Sequence, residues 1–448
     1  MTPASGSDPR ELSPFRRIAG TALPLYVTMI AASIGAALNV GLVGRHATAS
    51  LAAFAVTIAV YSPATATVAG VLRGIAPFVA QAKRDREHLG ELIHAGMWLG
   101  MTVGLLGGIA VACVGPVGRV VGVSAETVHH LGVFPYFLAV AVVSISIGTS
   151  ATSILVALRR SRIVLRAGIV GTAVTVLASI LLVDGPGPLP SLGLTGAGIA
   201  IVGGSLVGTT RAQIALHRIP ELDGLPLLPG RPDVVEMIRL ARVGIPLAGT
   251  VLIKFVVLGV LTFAAARLGT RQAAVHGVSE TLVNLIYTAA VAVGQSTVPV
   301  VAGAIRDGDV AESRRSVYAG ARVALCAVGV LGAALVLFGR WIIPLFTDDP
   351  SVRPLLHHQL PLVLLVVLTD ALQAIFGFGM VGLKRTVPSL VSTAVFFGGL
   401  CVLSVPIADA YGLTGLWLAL FVANCLQAAS KLGFFYLHSG RLIAEAAA

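Results

Sequence analysis

The sequence predicts an all-α membrane protein with twelve transmembrane helices in two pseudo-symmetric six-helix bundles. Three observations carry that expectation. Of 448 residues, 56% are hydrophobic and only 11% charged, with mean hydropathy +0.92, whereas soluble domains are about a quarter charged. Twelve apolar runs are long enough to cross about 30 Å of hydrocarbon at 1.5 Å per residue. The chain also repeats itself. Pro77-Phe78-Val79-Ala80-Gln81 returns as Pro299-Val300-Val301-Ala302-Gly303, and Pro24-Leu25 as Pro246-Leu247, both at an offset of 222. Leu158-Arg159-Arg160 returns as Leu383-Lys384-Arg385 and Gly193-Leu194-Thr195-Gly196 as Gly412-Leu413-Thr414-Gly415. Matched marks in one order mean two copies of one unit, a plan found in secondary transporters.

The spans follow in order. The first, 21–43, holds Pro24 and Asn39; the second, 52–81, holds Arg73 and closes on Val79-Ala80-Gln81. The third is 93–118. His129-His130 stand at the head of the fourth, 131–157, and the fifth, 163–183, has Thr175 and Ser179 as polar residues. The sixth, 193–217, opens on the first Gly-Leu-Thr-Gly. The seventh, 238–266, carries Lys254; the eighth, 274–303, carries Glu280, Asn284 and Tyr287; the ninth is 317–345. The tenth, 358–382, follows His357-His358 and contains Asp370, the eleventh is 386–408, and the twelfth, 411–436, contains Asn424 and Gln427. Pro24, Pro77, Pro135, Pro246, Pro299, Pro361 and Pro388 are expected to interrupt these helices, as static kinks or as hinges.

The expected organisation is a cytoplasmic segment 1–20, an N-terminal lobe 21–217, a linker 218–237, a C-terminal lobe 238–436 and a tail 437–448. The linker is rich in Pro and Gly, which resists helix. With the N-terminus inside, 23 Lys and Arg, Lys431 among them, fall on inner segments and 6 on outer ones. Both termini are therefore expected in the cytoplasm of a bacterial cell, by the rule that positive loops stay inside. A net charge of +11 then reads as attraction to anionic membrane lipid, and no nucleic-acid motif is present. A cleaved signal peptide is not expected. Cys113, Cys326, Cys401 and Cys425 lie in apolar runs without metal-binding spacing and read as packing residues. Adjacent histidines on a helix point about 100° apart, so the two His pairs argue for interfacial residues over a metal site.

Several marks together resemble the multidrug and toxic compound extrusion (MATE) family. They are Pro24, Val43-Gly44, Leu51-Ala52-Ala53, Val79-Ala80-Gln81, Gly244-Ile245-Pro246, Ala274-Val275-His276, Gly294-Gln295, Gly308-Asp309 and Asp370-Ala371-Leu372-Gln373. The resemblance covers essentially the whole chain. It implies two six-helix lobes around a central cavity, export of organic molecules, and coupling to proton or sodium entry. It also implies an Asp fifteen residues after the first-span proline in the proton-coupled branch, where this chain has Asn39. Asparagine carries no titrating proton. Eight residues after the seventh-span proline the sodium-linked branch has Glu, and here Lys254 stands.

An ammonium near the bilayer centre costs on the order of 3 kcal/mol and calls for a partner. Asp370 lies at similar depth, so an internal Lys254–Asp370 pair is expected, with the lysine nitrogen in the place of a sodium ion. Asp370, Lys254 and Glu280 are thus the candidate ion-coupling residues. Lys254 has two other readings, a counter-charge for an anionic substrate or a partner for Glu280. Asn39, Arg73, Asn284, Tyr287, Asn424 and Gln427 are candidate cavity residues, each with the alternative of an interhelical hydrogen bond, and Arg73 with that of reaching the inner interface along its own stem. No cofactor beyond the coupling ion, H⁺ or Na⁺, and no nucleic-acid partner is expected; the expected unit is a monomer in lipid acting on a small-molecule substrate. The alternative is a lipid-linked flippase or polysaccharide exporter with anionic cargo. No nucleophile elbow, HExxH or paired intramembrane Asp argues for an enzyme.

Overall fold

The computed structural model describes residues 13–46, 48–185, 191–223, 230–347 and 349–447. Most of the expected N-terminal segment, including Arg10, and linker residues 224–229 with Pro226 and Pro229 lie outside the described residues. Among the described residues there are helices and no strands. In chain order the helices are α1 (Pro14–His46), α2 (Thr48–Arg73), α3 (Ala76–Ala82), α4 (Arg86–Ala112), α5 (Val114–Val121), α6 (Ala125–Leu131), α7 (Phe134–Ala157), α8 (Ser161–Val183) and α9 (Gly193–His217). The second copy has α10 (Val234–Arg267), α11 (Thr270–Arg306), α12 (Val310–Ile342), α13 (Arg353–Gly382) and α14 (Val387–Ala447). Single 3-10 turns lie at Pro220–Leu222 and Ile343–Leu345.

Eleven helical stretches are long and apolar enough to cross a membrane, one of them the 55 residues of Val387–Arg441. That stretch breaks at Gly412, whose φ of 64° and ψ of −158° are not helical. It is two crossings, and the total among the described residues is twelve. The protein is a multi-pass membrane protein.

Most helices start earlier than hydropathy places the spans, and at α4 and α12 a capping side chain in the polar flank sets the start. Asp85 accepts from His88 N at the head of α4, and Asp309 accepts from Glu312 N at 2.8 Å at the head of α12. The proline expectation also divides. Pro24, Pro246, Pro299 and Pro361 lie inside helices, whereas Pro77, Pro135 and Pro388 are the second residues of α3, α7 and α14, within the first turn. There the missing N–H costs nothing and the fixed φ suits the helix.

The repeated sequence marks are places where the backbone makes an unusual demand. Gly193 and Gly412 both have positive φ, 50° and 64°, at the starts of the sixth and twelfth crossings. Their partners Gly196 and Gly415 sit where a Cβ would lie 2.4 Å from Leu182 O and from Tyr411 Cβ. Arg159 and Lys384, equivalent in the two copies, are non-glycine residues with positive φ, 63° and 57°. Each ends a helix in the same way: Arg160 N donates to Leu155 O at 2.8 Å, and Arg385 N to Met380 O at 3.0 Å. This six-to-one closure normally recruits glycine. Lys384→Gly is therefore expected to raise stability by about 1 kcal/mol, read as a higher melting temperature in detergent than that of Lys384→Ala.

The chain packs as two compact units. One is Val27–Leu252; the other joins the described residues up to Tyr26 to those from Ile253 onward. The division falls inside α1 and α10. In Val27–Leu252, α7 is the interior helix, and Ser150 Oγ donates to Gly96 O of α4 at 2.8 Å. The early part of α10 lies against the end of α2, where Gly70 and Gly74 face Ala248 and Gly244. Small residues let these backbones approach closely, the usual device where lipid offers no hydrophobic drive.

In the other unit, Ile18 and Ala22 of α1 join an apolar core with Val257, Leu261, Val367 and Trp417. Arg17 Nη2 donates to Glu312 Oε1 at 3.0 Å. Its interior helices are α11 and α13, with 78% and 67% of an apolar stretch buried. Asp370, Gln373 and Tyr287, taken up next, lie on these two helices.

Candidate functional site

Asp370 lies on α13 and is 3% exposed, so it faces protein and not the lipid-facing side. Lys254 Nζ of α10 donates to Asp370 Oδ2 at 2.6 Å. Gln373, one turn along α13, donates through Nε2 to Asp370 Oδ1 at 2.8 Å. The i, i+3 spacing puts both on one helix face. Lys254 Nζ also stands 3.4 Å from the centroid of the Tyr287 ring on α11, within cation–π range. The structure thus brings together Asp370, Lys254 and Tyr287 from three helices of one unit.

A second lysine extends the cluster. Lys431 of α14 is 3% exposed and donates to Gln373 Oε1 and, at 3.1 Å, to Gln427 Oε1. Gln427 accepts also from Thr393 Oγ1 at 3.1 Å. Burying three charges in an apolar unit is tolerable only when each is hydrogen-bonded or paired. Here the carboxylate is held from both oxygens, and the far ammonium rests on two amide oxygens.

Sequence reasoning placed Lys431 among the cytoplasmic-end lysines and missed it. The signal was available: Gln427 and Lys431 are four apart, on one helix face, and Gln373 sits three after Asp370. Hydropathy does not distinguish a lysine near a span end that turns inward from one that turns toward water.

The remaining candidates separate. Gln427 and Asn424 are fully buried, and Asn424 Nδ2 donates to Val366 O at 3.4 Å. Asn284 is exposed on α11. Glu280 lies near Thr262 and His276, with Oε2 3.4 Å from Thr262 Oγ1 and 3.7 Å from His276 Nε2. Asn39 is buried in the Val27–Leu252 unit, its Oδ1 without a hydrogen-bond partner. Arg73 is the last residue of α2, where a cation meets the negative end of the helix dipole. Among the described residues no three His, Cys, Asp or Glu side chains cluster in a metal-binding arrangement.

Twelve crossings built from one unit used twice, with a buried cluster in the second copy whose acid, Asp370, sits on an interior helix, define a duplicated-bundle membrane transporter. The MatE family model matches residues 24–181 and 246–407, one match in each copy, and the chain belongs to that family. Among curated relatives, a Rhizobium meliloti protein described as "Probable multidrug resistance protein NorM" is 24% identical over 422 residues, 92% of this chain and 90% of its own. A Synechococcus protein of the same description is 26% identical over 430 residues, 91% of this chain and 90% of its own. A crystal structure of a MATE protein in complex with MaL6 superposes with a TM-score of 0.86 at 18% identity, covering 96% of this chain and 97% of that one. A MOP superfamily transporter from Pyrococcus furiosus, described with a binding pocket of reverse polarity suggesting a different function, has a TM-score of 0.84 at 17% identity, covering 96% and 97%. The structural likenesses carry the twelve-helix, two-lobe fold.

Proposed function

We propose that this chain is a secondary active antiporter that exports small organic molecules across the bacterial cytoplasmic membrane by alternating access, coupled to proton entry through Asp370. Its lobes are 21–217 and 238–436, joined by the linker 218–237, with both termini in the cytoplasm, and the transporting unit is a monomer. The orientation rests on the division of Lys and Arg, 22 to 6 once the inward-turned Lys431 is set aside. Relatives described as multidrug resistance proteins support drug-like cargo.

The observation that carries the coupling is the 2.6 Å contact between Lys254 and Asp370 on an interior helix. A coupling ion drives transport only if it favours one facing state over the other. A buried carboxylate held by a tethered ammonium has two electrostatic states, according to where the proton lies. Hard cations such as sodium take several oxygen ligands, whereas an ammonium and an amide N–H occupy the two Asp370 oxygens here. That favours the proton.

A second reading has one observation in its favour. Lys254 and Lys431 outnumber Asp370 in the cluster, which suits anionic cargo, lipid-linked cargo included, and the Pyrococcus furiosus neighbour is described by a reversed pocket polarity. The test is the full-length protein in proteoliposomes, loaded with ethidium or with carboxyfluorescein, under an imposed pH gradient or an imposed sodium gradient. Ethidium flux driven by the pH gradient alone is the expected result. Flux driven by sodium alone sinks the proton assignment, and carboxyfluorescein flux in place of ethidium selects the second reading.

A further inference from the structure

The Gln373 amide links the buried acid to the second buried lysine, and its direction is not free. Lys431 Nζ of α14 donates to Gln373 Oε1 and, at 3.1 Å, to Gln427 Oε1, while Gln373 Nε2 donates to Asp370 Oδ1 at 2.8 Å. Asp370, Gln373, Gln427 and Lys431 are all buried. An ammonium carries three donors and no acceptor. Only the oxygen end of the amide can therefore face Lys431, and its nitrogen end is left for Asp370.

The consequence falls on the acid. A neutral Asp370 with its proton on Oδ1 would set that O–H against the Gln373 N–H, donor against donor. The proton is left with Oδ2, the oxygen that Lys254 Nζ holds at 2.6 Å. Proton and ammonium then compete for one atom, and taking up the one releases the other. Were Gln373 free to turn its amide over, its oxygen would accept from an Oδ1–H, and Asp370 would be neutralised with the Lys254 contact intact.

We infer that Lys431, acting through Gln373, is a positioning residue that fixes the coupling proton on the Asp370 oxygen shared with Lys254, so that proton entry breaks the Lys254–Asp370 pair. The inference deepens the proton-coupled reading above and rests on it. The step balances: an O–H bond forms at Asp370 Oδ2 and the hydrogen bond from Lys254 Nζ to that oxygen is lost. The Lys254 ammonium keeps its three protons and the Tyr287 ring, whose centroid is 3.4 Å away. The charged and titratable groups facing Asp370 are Lys254 of α10, with Tyr287 of α11 beside it, and Lys431 of α14 beyond Gln373. Arg314 of α12 is bonded instead to Ser439 Oγ and the Tyr436 carbonyl of α14, and Glu280 of α11 lies at Thr262 and His276.

The experiment uses the full-length protein in proteoliposomes. It reads the ratio of pH-gradient-driven ethidium flux to gradient-free ethidium counterflow across a series of external pH values. Lys431→Gln supplies an acceptor as well as donors, so the Gln373 amide gains its second orientation and the neutral acid a second place for its proton. The midpoint of the profile is expected to move to higher pH by about one pH unit, the size of one ordinary hydrogen bond, and the ratio to fall, because proton uptake no longer breaks the pair. Lys431→Arg keeps a group with donors only and is expected to restore the wild-type midpoint, which a purely structural role would not require. On a Gln373→Leu background the link is gone, and Lys431→Gln is expected to add no further shift. A Lys431→Gln midpoint that is unchanged or moved to lower pH overturns the inference, as does a shift of full size on the Gln373→Leu background; either leaves the coupling at Asp370 standing. A wild type indifferent to the pH gradient overturns the proton-coupled reading, and this inference with it. Arginine is the larger side chain and risks misfolding, so the Lys431→Gln and Gln373→Leu pair decides the question without it.

Discussion

Asp370→Asn is expected to abolish gradient-driven export and to lower the stability of the protein. The carboxylate accepts from Lys254 at 2.6 Å and from Gln373 at 2.8 Å. Asparagine keeps an oxygen for Gln373, but its amide presents a second donor to the Lys254 ammonium. Breaking a buried pair by removing one partner costs about 3–5 kcal/mol. The Lys254 ammonium keeps the Tyr287 ring, 3.4 Å from its centroid, so the loss belongs near the lower figure. Stability and function are then separated by a second change. Asp370→Asn with Lys254→Met removes both charges and keeps the volume, so most of the lost stability is expected to return while export stays absent. Thermal unfolding in detergent and ethidium flux in proteoliposomes measure the two halves. Export at the wild-type rate in either variant would remove Asp370 from the coupling mechanism.

The second large effect is expected far from that site. Gly244→Val should destabilise the fold by about 3 kcal/mol or more, at the severe end of overpacking. A Cβ at Gly244 lies 2.1 Å from Val71 O and 2.9 Å from Val71 Cα, which are backbone atoms that no rotamer change can move. Gly74 faces the same contact from α2, with its Cβ 2.7 Å from Gly244 Cα. Gly259, on the same helix, has nothing within 4 Å of its Cβ. Gly259→Ala is therefore the control, expected to change stability by less than about 1 kcal/mol and in the favourable direction. Membrane yield and melting temperature of the two variants check the contrast. Equal behaviour would mean that α2 and α10 do not touch as closely as their glycines indicate.

Much of this was legible in the sequence because its cause is local. Gly412 and Gly193 mark turns with positive φ that few other residues adopt, so the Gly-Leu-Thr-Gly marks had to recur wherever the unit recurs. Lys254 and Asp370 could be paired from a single chain because a lone charge at that depth is costly, and the structure sets them 2.6 Å apart. The early starts of α4 and α12 were not legible from hydropathy, since Asp85 and Asp309 cap their helices in the polar flank. Lys431 was misplaced for a related reason. Its distance along the span matched an interfacial lysine, and only the rotation of α14 about its own axis turns it toward Gln373. His276 was visible as part of Ala274-Val275-His276, but its neighbours Thr262 and Trp417 come from other helices.

By itself the sequence determined the solvent this chain lives in, the number of crossings, the duplication and the need to pair the deep charges. Each of these follows from composition or from the cost of exposing a polar group to hydrocarbon, which is paid wherever the residue happens to point. The tertiary structure alone decided which side chains meet: that Asp370 has an amide as well as an ammonium, that Lys431 closes the far end of the cluster, and that α1 and α10 each contribute to both compact units. Those outcomes depend on helix rotation and on backbone approach at residues such as Gly74 and Gly244. Apolar faces against lipid constrain rotation only weakly, so packing between small residues and hydrogen bonds between helices set it.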